Sequence, residues 1–256
     1  MARLFVFLYG IMAYIMFLGI FLYAIAFVGN LVVPKTVDTP SHLGAGEAII
    51  IDLLLLGLFG IQHSGMARRA FKKFWMRIVP PAIERSTFVY ASNLALALLM
   101  WQWKGLDYVV WNVQTPMLRA FIWGLFGLGW LWLLLSTFAV SHADLFGLRQ
   151  VYHYLINRLP TPFTLKTGSF YAVVRHPLML GFVIAFWSSP TMTGGHFLFS
   201  FVATSYIVVA IQLEEQDLIH AFGERYRRYR RQVPMLLPLP RRRHMTDNAD
   251  SAMDTD

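Results

Sequence analysis

Residues 4–33 read LFVFLYGIMAYIMFLGIFLYAIAFVGNLVV, without one acidic or basic side chain. About 20 predominantly apolar residues suffice for a helix to cross the hydrocarbon of a bilayer. The stretch is too long for the apolar core of a secretory leader and shows no convincing cleavage site, so it is expected to remain as a span. Three more runs of this kind lie at 44–64, 86–103 and 118–140. Two shorter runs, 177–190 and 197–213, flank Thr193-Gly194-Gly195. Gly-Gly marks a turn, which predicts a hairpin whose first arm is shortened by Ser188, Ser189 and Pro190. The expected fold class is therefore all-α: a polytopic integral membrane helical bundle of about five to six spans, the last two a hairpin. A C-terminal cytoplasmic helix is expected to follow. One domain, 1–240, accounts for the bundle. The tail 241–256 opens on Arg241-Arg242-Arg243, is then rich in Asp, Ala and Thr, and is expected to be disordered.

Composition agrees with a membrane protein. The chain is 57% hydrophobic and 14% charged, with a mean hydropathy of +0.51. There is no cysteine, which excludes disulfides, thiolate metal ligands and a cysteine nucleophile. A net charge of +8 in a soluble chain would suggest nucleic acid. Here the basic residues collect in loops, as they do on the cytoplasmic side of membrane proteins, and no nucleic-acid partner is expected. Loop 66–85 carries Arg68, Arg69, Lys72, Lys73, Arg77 and Arg85 against Glu84. That loop is then cytoplasmic, and so are the N-terminus, loop 141–171 and the C-terminal segment. Trp101, Trp103 and Trp111 fall at the opposite interface.

Every polar cluster lands on one side. Gln62-His63-Ser64, Ser141-His142-Ala143-Asp144, Arg149-Gln150, Tyr171, Arg175-His176 and Glu214-Glu215 all lie at or near cytoplasmic helix ends. A single polar cavity at that interface would account for them. In Arg175-His176-Pro177, proline suits a helix start, whose free N–H groups and partial positive charge join Arg175 and His176 in favouring an anion such as a carboxylate. The same residues would also serve as an interfacial arginine against lipid phosphate. Glu214-Glu215 closes the last apolar run. The pair opposes the dipole if the helix ends there, and attracts a cation or hydrogen-bond donors in either case. Leu218, Phe222, Tyr226, Tyr229 and Val233 recur at helical spacing, a pattern that packing also explains. His63, His142, His153 and His176 show no close metal-ligand spacing, and no metal is expected.

Together these pieces resemble a known family. Arg-His-Pro-x-x-x-Gly at 175–181, Glu-Glu-x-x-Leu-x-x-x-Phe-Gly-x-x-Tyr-x-x-Tyr at 214–229, Val233-Pro234 and Pro238 are similar to the isoprenylcysteine carboxyl methyltransferase superfamily. The resemblance covers about 171–238. Met179 stands where that family has tyrosine. Upstream, Gln62-His63-Ser64-x-Met66-Ala67-Arg68, Glu84-Arg85-Ser86 and Ser141-His142-x-Asp144-Leu145-Phe146-Gly147-Leu148-Arg149-Gln150 resemble a bacterial subgroup that contains the methanethiol S-methyltransferases. Similarity extends to membrane proteins associated with nitrite reduction.

The resemblance implies a bacterial inner-membrane enzyme that methylates a small thiol, methanethiol, to dimethyl sulfide with S-adenosylmethionine. It implies a cofactor site at Arg175, His176, Pro177, Leu178, Gly181, Glu214, Glu215, Phe222, Tyr226 and Tyr229. Arg175 would suit the cofactor's carboxylate, Glu214 or Glu215 its ammonium or ribose, and an aromatic ring its adenine or sulfonium. Ser64, Arg149 and Gln150 are the expected substrate contacts. The attacking species is a thiolate, so a base or the sulfonium's charge must favour ionisation. His142 with Asp144 is the first candidate, then His63, then Tyr171. Two other readings remain: a methyltransferase for a lipid or isoprenylcysteine-like carboxylate, and a transporter or maturation protein tied to nitrogen-oxide reduction. The spans are apolar between their ends apart from Asp52 and a few others, which disfavours a through-pathway.

Overall fold

A computed structural model describes residues 1–159 and 164–238; the tail expected to be disordered lies outside the described residues. In chain order the elements are α1 (Ala2–Val28), α2 (Ala45–Ala67), α3 (Arg69–Trp75), α4 (Pro81–Gln102), β1 (Val109–Asn112), α5 (Pro116–Val140), α6 (His142–Leu145) and α7 (Leu148–Leu155). They continue with α8 (Phe170–Val173), α9 (Pro177–Trp187), β2 (Thr191–Thr193), α10 (Gly194–Phe222) and α11 (Glu224–Gln232). α1, α2, α5 and α10 are long and apolar enough to cross a membrane. The chain is thus a helical, multi-pass membrane protein. α4, expected as a span over 86–103, begins five residues earlier at Pro81 and carries Glu84 and Arg85 in its first turns. It lies between α1 and α2.

Two ends of the bundle are fixed by long-range hydrogen bonds. At one end Arg3 meets Asn157, Tyr14 meets His142, Arg68 meets Asp217 and Arg85 meets the Leu145 carbonyl. All the polar motifs gather there. At the other end Lys35 donates to the Trp101 carbonyl, Thr193 to Asp38, and Trp103 to the Val37 carbonyl. Buried Asp52 belongs to this second end, where its Oδ1 accepts the Lys104 amide at 2.8 Å. It caps a loop there and does not interrupt the middle of the bundle.

The hairpin is asymmetric. α9 has 11 residues, about 16 Å at 1.5 Å per residue, too short to cross a ~30 Å core. α10 has 29 residues and runs past Glu214-Glu215 to Phe222. The dipole argument for that acid pair therefore lapses. Gly194-Gly195 does not form the turn either; it opens α10, and Thr193 Oγ1 caps the helix by accepting from the His196 amide at 3.1 Å. The turn is made by residues 188–193, and β2 within it pairs antiparallel with β1. This two-stranded ribbon is the one addition to an otherwise helical fold among the described residues. Gly223, at φ +55°, then separates α10 from α11, so the stripe from Leu218 to Val233 is not one helix face.

α9 packs most closely on α5. A Cβ on Gly181 would sit 2.8 Å from the Gly129 carbonyl and from the Leu133 amide, and one on Gly129 would sit 2.7 Å from the Ala185 amide. Small residues let membrane helices approach this closely. Gly181 therefore has a helix-packing role. Gly181→Val is expected to separate α5 from α9 and to cost about 1–3 kcal/mol or more by overpacking. A thermal unfolding scan in detergent checks this, against Gly19→Val, whose Cβ meets nothing within 4 Å.

Candidate active site

The start of α9 and the last turns of α10 bring the two charged feet of the hairpin together. Arg175 Nε donates to Glu215 Oε1 at 2.7 Å, and its Nη1 donates to the carbonyls of Arg230 at 3.0 Å and Val233 at 2.6 Å. The two side chains are 5% and 9% exposed. The main chain adds two bonds, from the Arg175 and His176 amides to the Pro234 and Met235 carbonyls. Arg175 thus laces residues 230–235 onto the foot of α9. His176 lies between the acids, with Nε2 3.2 Å from Glu215 Oε1 and Nδ1 3.5 Å from Glu214 Oε2. Burial alone would lower the His176 pKa, but hydrogen bonds to Glu214 and Glu215, and their charges, raise it overall.

That shift has a signed consequence. A histidine whose folded pKa is raised contributes stability that is complete below its ordinary pKa of 6.5 and lost as pH climbs through the higher folded value. The melting temperature is expected to fall as pH rises from 6.5, and His176→Gln is expected to flatten that slope. Parallel melts across the range check both.

The two glutamates part company. Glu215 faces the ion cluster, whereas the Glu214 side chain is 50% exposed and lines a cavity. Beside it Tyr229 donates to the Tyr171 carbonyl at 2.6 Å. Tyr226 is 1% exposed, and its hydroxyl lies beside the Glu215 carboxylate without a well-formed hydrogen bond. Burial and the neighbouring carboxylates push the Tyr226 and Tyr171 phenols up, and burial raises Tyr229 to about 12. Tyr171, the third candidate base, is thus held as a neutral phenol.

The other half of the site comes from α2, α4 and the α5–α6 junction. His63 Nδ1 is 3.1 Å from Ser92 Oγ, its ring stacks on Phe59, and Nε2 has no partner among the described residues. Ser64 Oγ is 2.8 Å from the Tyr206 hydroxyl. His142 is fully engaged. Thr137 Oγ1 donates to the Leu134 carbonyl, so at 2.8 Å it accepts from His142 Nδ1. Nε2, also at 2.8 Å, then accepts from the Tyr14 hydroxyl. Burial lowers the His142 pKa, consistent with a neutral ring.

Asp144 does not pair with His142. The two side chains, two positions apart, leave the short α6 in different directions. Asp144 Oδ2 accepts from Arg149 Nη1 at 2.9 Å, and its carbonyl accepts from Gln150 Nε2 at 3.3 Å. Gly147, at φ +82°, lets this loop press on α4; a Cβ there would lie 2.7 Å from Ser86 Oγ. Arg149 and Gln150 therefore brace the loop, and neither is on the wall of the cavity that His63 and His142 line. Arg149 lines a separate hollow with Phe7 and Tyr152.

One cavity of about 660 Å³ joins the two halves. Arg175, His176, Leu178, Glu214, Tyr226 and Tyr229 of the expected cofactor set are on its wall, with Tyr171; Pro177, Gly181, Glu215 and Phe222 are not. His63, Ser64 and His142 are on the wall, and Phe27, Leu99, Met100 and Phe199 extend it toward the other end of the bundle. Arg85, present in the Glu84-Arg85-Ser86 motif but given no role there, also lines it, as do Ser92, Asn93 and Tyr206, which the sequence did not single out. For Ser92 and Asn93 the available signal is a pair of polar residues inside an apolar run.

Fold and cavity define a polytopic membrane protein with its polar motifs and the polar wall of its cavity at one end. The chain is 51% identical over 242 residues to the methanethiol S-methyltransferase of Mycobacterium tuberculosis, covering 94% of this chain and 99% of that relative. It is 50% identical over 232 residues to methanethiol S-methyltransferase 1 of Bradyrhizobium diazoefficiens, covering 91% and 81%. Nurim of the rat is 30% identical over 176 residues, 65% of this chain and 66% of that protein, which fits the wider isoprenylcysteine carboxyl methyltransferase-like superfamily. No family model and no solved structure matches. The chain belongs to the methanethiol S-methyltransferase family and is a methyltransferase. It therefore uses a methyl donor, and the transporter reading falls away.

Proposed function

We propose that this chain methylates methanethiol to dimethyl sulfide with S-adenosylmethionine, within a bacterial inner membrane. The observation that carries the reading is one cavity bounded by a carboxylate-and-tyrosine wall on one side and by His63 on the other. When bound, S-adenosylmethionine supplies an electrophilic methyl group on a sulfonium. The residues present fit it. Glu214 offers a half-exposed carboxylate to an ammonium or hydroxyl group. The buried Tyr226 hydroxyl has a hydrogen bond still to make. The rings of Tyr171 and Tyr226 offer faces to a cation. Arg175 meets a carboxylate with the part of its guanidinium that is not committed to Glu215, Arg230 and Val233.

His63 takes the thiol proton at Nε2, while Ser92 holds the ring. The aromatic wall excludes water and accepts a small apolar thiol from the bilayer. The motif-bearing end, both termini included, faces the cytoplasm because the basic loop 66–85 lies there. This supports a water-soluble donor entering beside Glu214. The same division predicts different outcomes for the two acids. Glu214→Gln is expected to lower the melting temperature by no more than a few degrees, since its contact with His176 is half-exposed while Glu215 keeps the buried one. It is expected to weaken binding of S-adenosylhomocysteine about 10- to 100-fold, the loss of one hydrogen bond to a charged group. Isothermal titration of the detergent-solubilised protein measures it. Unchanged affinity would remove Glu214 from the donor site.

A further inference from the structure

We propose that Arg85 binds the acceptor as a thiolate, making the cavity an anion site for small thiols opposite the methyl donor. The inference rests on the proposed thiol reading. Among the described residues, the other cations on the cavity wall are spoken for or open to solvent. Arg68 pairs with Asp217 at 3.1 Å, Arg175 is committed to Glu215, and Lys166 is exposed. Arg85 lines the same wall, is partly buried, and has no carboxylate within ion-pair distance among the described residues. Its Nε donates to the Leu145 carbonyl at 2.7 Å, which fixes the fork. The guanidinium carbon stands 4.8 Å from the centre of the Phe88 ring, another wall residue. One face is thus apolar, and the fork keeps further N–H groups for a ligand.

An unpaired guanidinium beside an apolar cavity is costly unless it meets an anion. The reaction provides one. A guanidinium stays charged at any working pH and favours the ionised form of a thiol next to it. The thiol proton leaves by way of His63 to solvent. The thiolate sulfur supplies the electron pair of the new carbon–sulfur bond, and the pair of the broken bond stays with the donor's sulfur. The resulting dialkyl sulfide is neutral, has nothing to offer Arg85, and departs into the bilayer. Charge surrounds the site on several elements: Glu84 on α4, Asp144 on α6, Lys72 on α3 and His63 on α2. Asp144 is already paired with Arg149.

The test compares wild type, Arg85→Gln and Arg85→Lys, each purified in detergent and first checked for S-adenosylhomocysteine affinity and melting temperature. Methylation is then followed against pH with methanethiol and with 2,2,2-trifluoroethanethiol, a much more acidic thiol. Arg85→Gln is expected to lose about 100-fold in kcat/KM for methanethiol at pH 7, to recover as pH rises, and to lose under about 5-fold for the acidic thiol. Arg85→Lys is expected to keep the wild-type pH profile with a smaller loss. Equal losses for both thiols at every pH, with donor affinity intact, would overturn the proposal. Wild type that binds S-adenosylhomocysteine yet methylates neither thiol would overturn the thiol reading itself.

Discussion

Arg175→Met is expected to be the most destabilising single change in the protein. It leaves Glu215 buried with His176 as its principal remaining partner and frees the Arg230 and Val233 carbonyls. Removing one member of a buried ion pair costs about 3–5 kcal/mol, since the other charge stays buried without compensation. The segment 230–235 should be held on the foot of α9 by the Arg175 and His176 amides without the two side-chain bonds, so donor affinity should fall with stability. Arg175→Met combined with Glu215→Gln should recover part of the loss, because the stranded charge is gone. Unfolding midpoints of the two single variants and the double check this. Strictly additive losses would show that the pair does not act as a unit.

The second large effect is on turnover. His63→Ala is expected to lower kcat for methanethiol by about 10²–10⁴-fold, the range of a general base, with S-adenosylhomocysteine affinity unchanged. His142→Ala should act differently. Both ring nitrogens of His142 are bonded, and the ring stacks on Phe138 at 4.4 Å, so its loss should lower the melting temperature first. The two variants separate the roles: if His142→Ala stops turnover in a folded protein while His63→Ala does not, the base is His142.

The spans were legible because apolar runs of bilayer length have few other uses in a chain. The gathering of polar motifs at one end was also legible, from hydropathy and loop charge alone. That Arg175-His176 and the acid pair share one end was legible with them, but the direct pairing of Arg175 and His176 with Glu215 was not. What stayed hidden depends on distant partners. The helix past Glu215 carries no hydropathy signal, and its end is set by the φ of Gly223. His142 looks like a base until Tyr14, far away in sequence, takes its Nε2. Asp144 looks like its orienting partner until Arg149 claims the carboxylate. Gly181 belongs to a family motif, yet its local reason is a backbone 2.8 Å from where a Cβ would stand. The ribbon of β1 and β2 escaped notice because strands of 4 and 3 residues leave no readable alternation.

The central claim is that the cavity brings a sulfonium methyl group to a thiol. It is tested most directly by supplying the purified protein with methyl-labelled S-adenosylmethionine and methanethiol and collecting the headspace. Labelled dimethyl sulfide, dependent on both reagents and lost in His63→Ala, is the predicted result. Donor that binds to the wild-type protein while no label reaches a volatile sulfide would contradict the account.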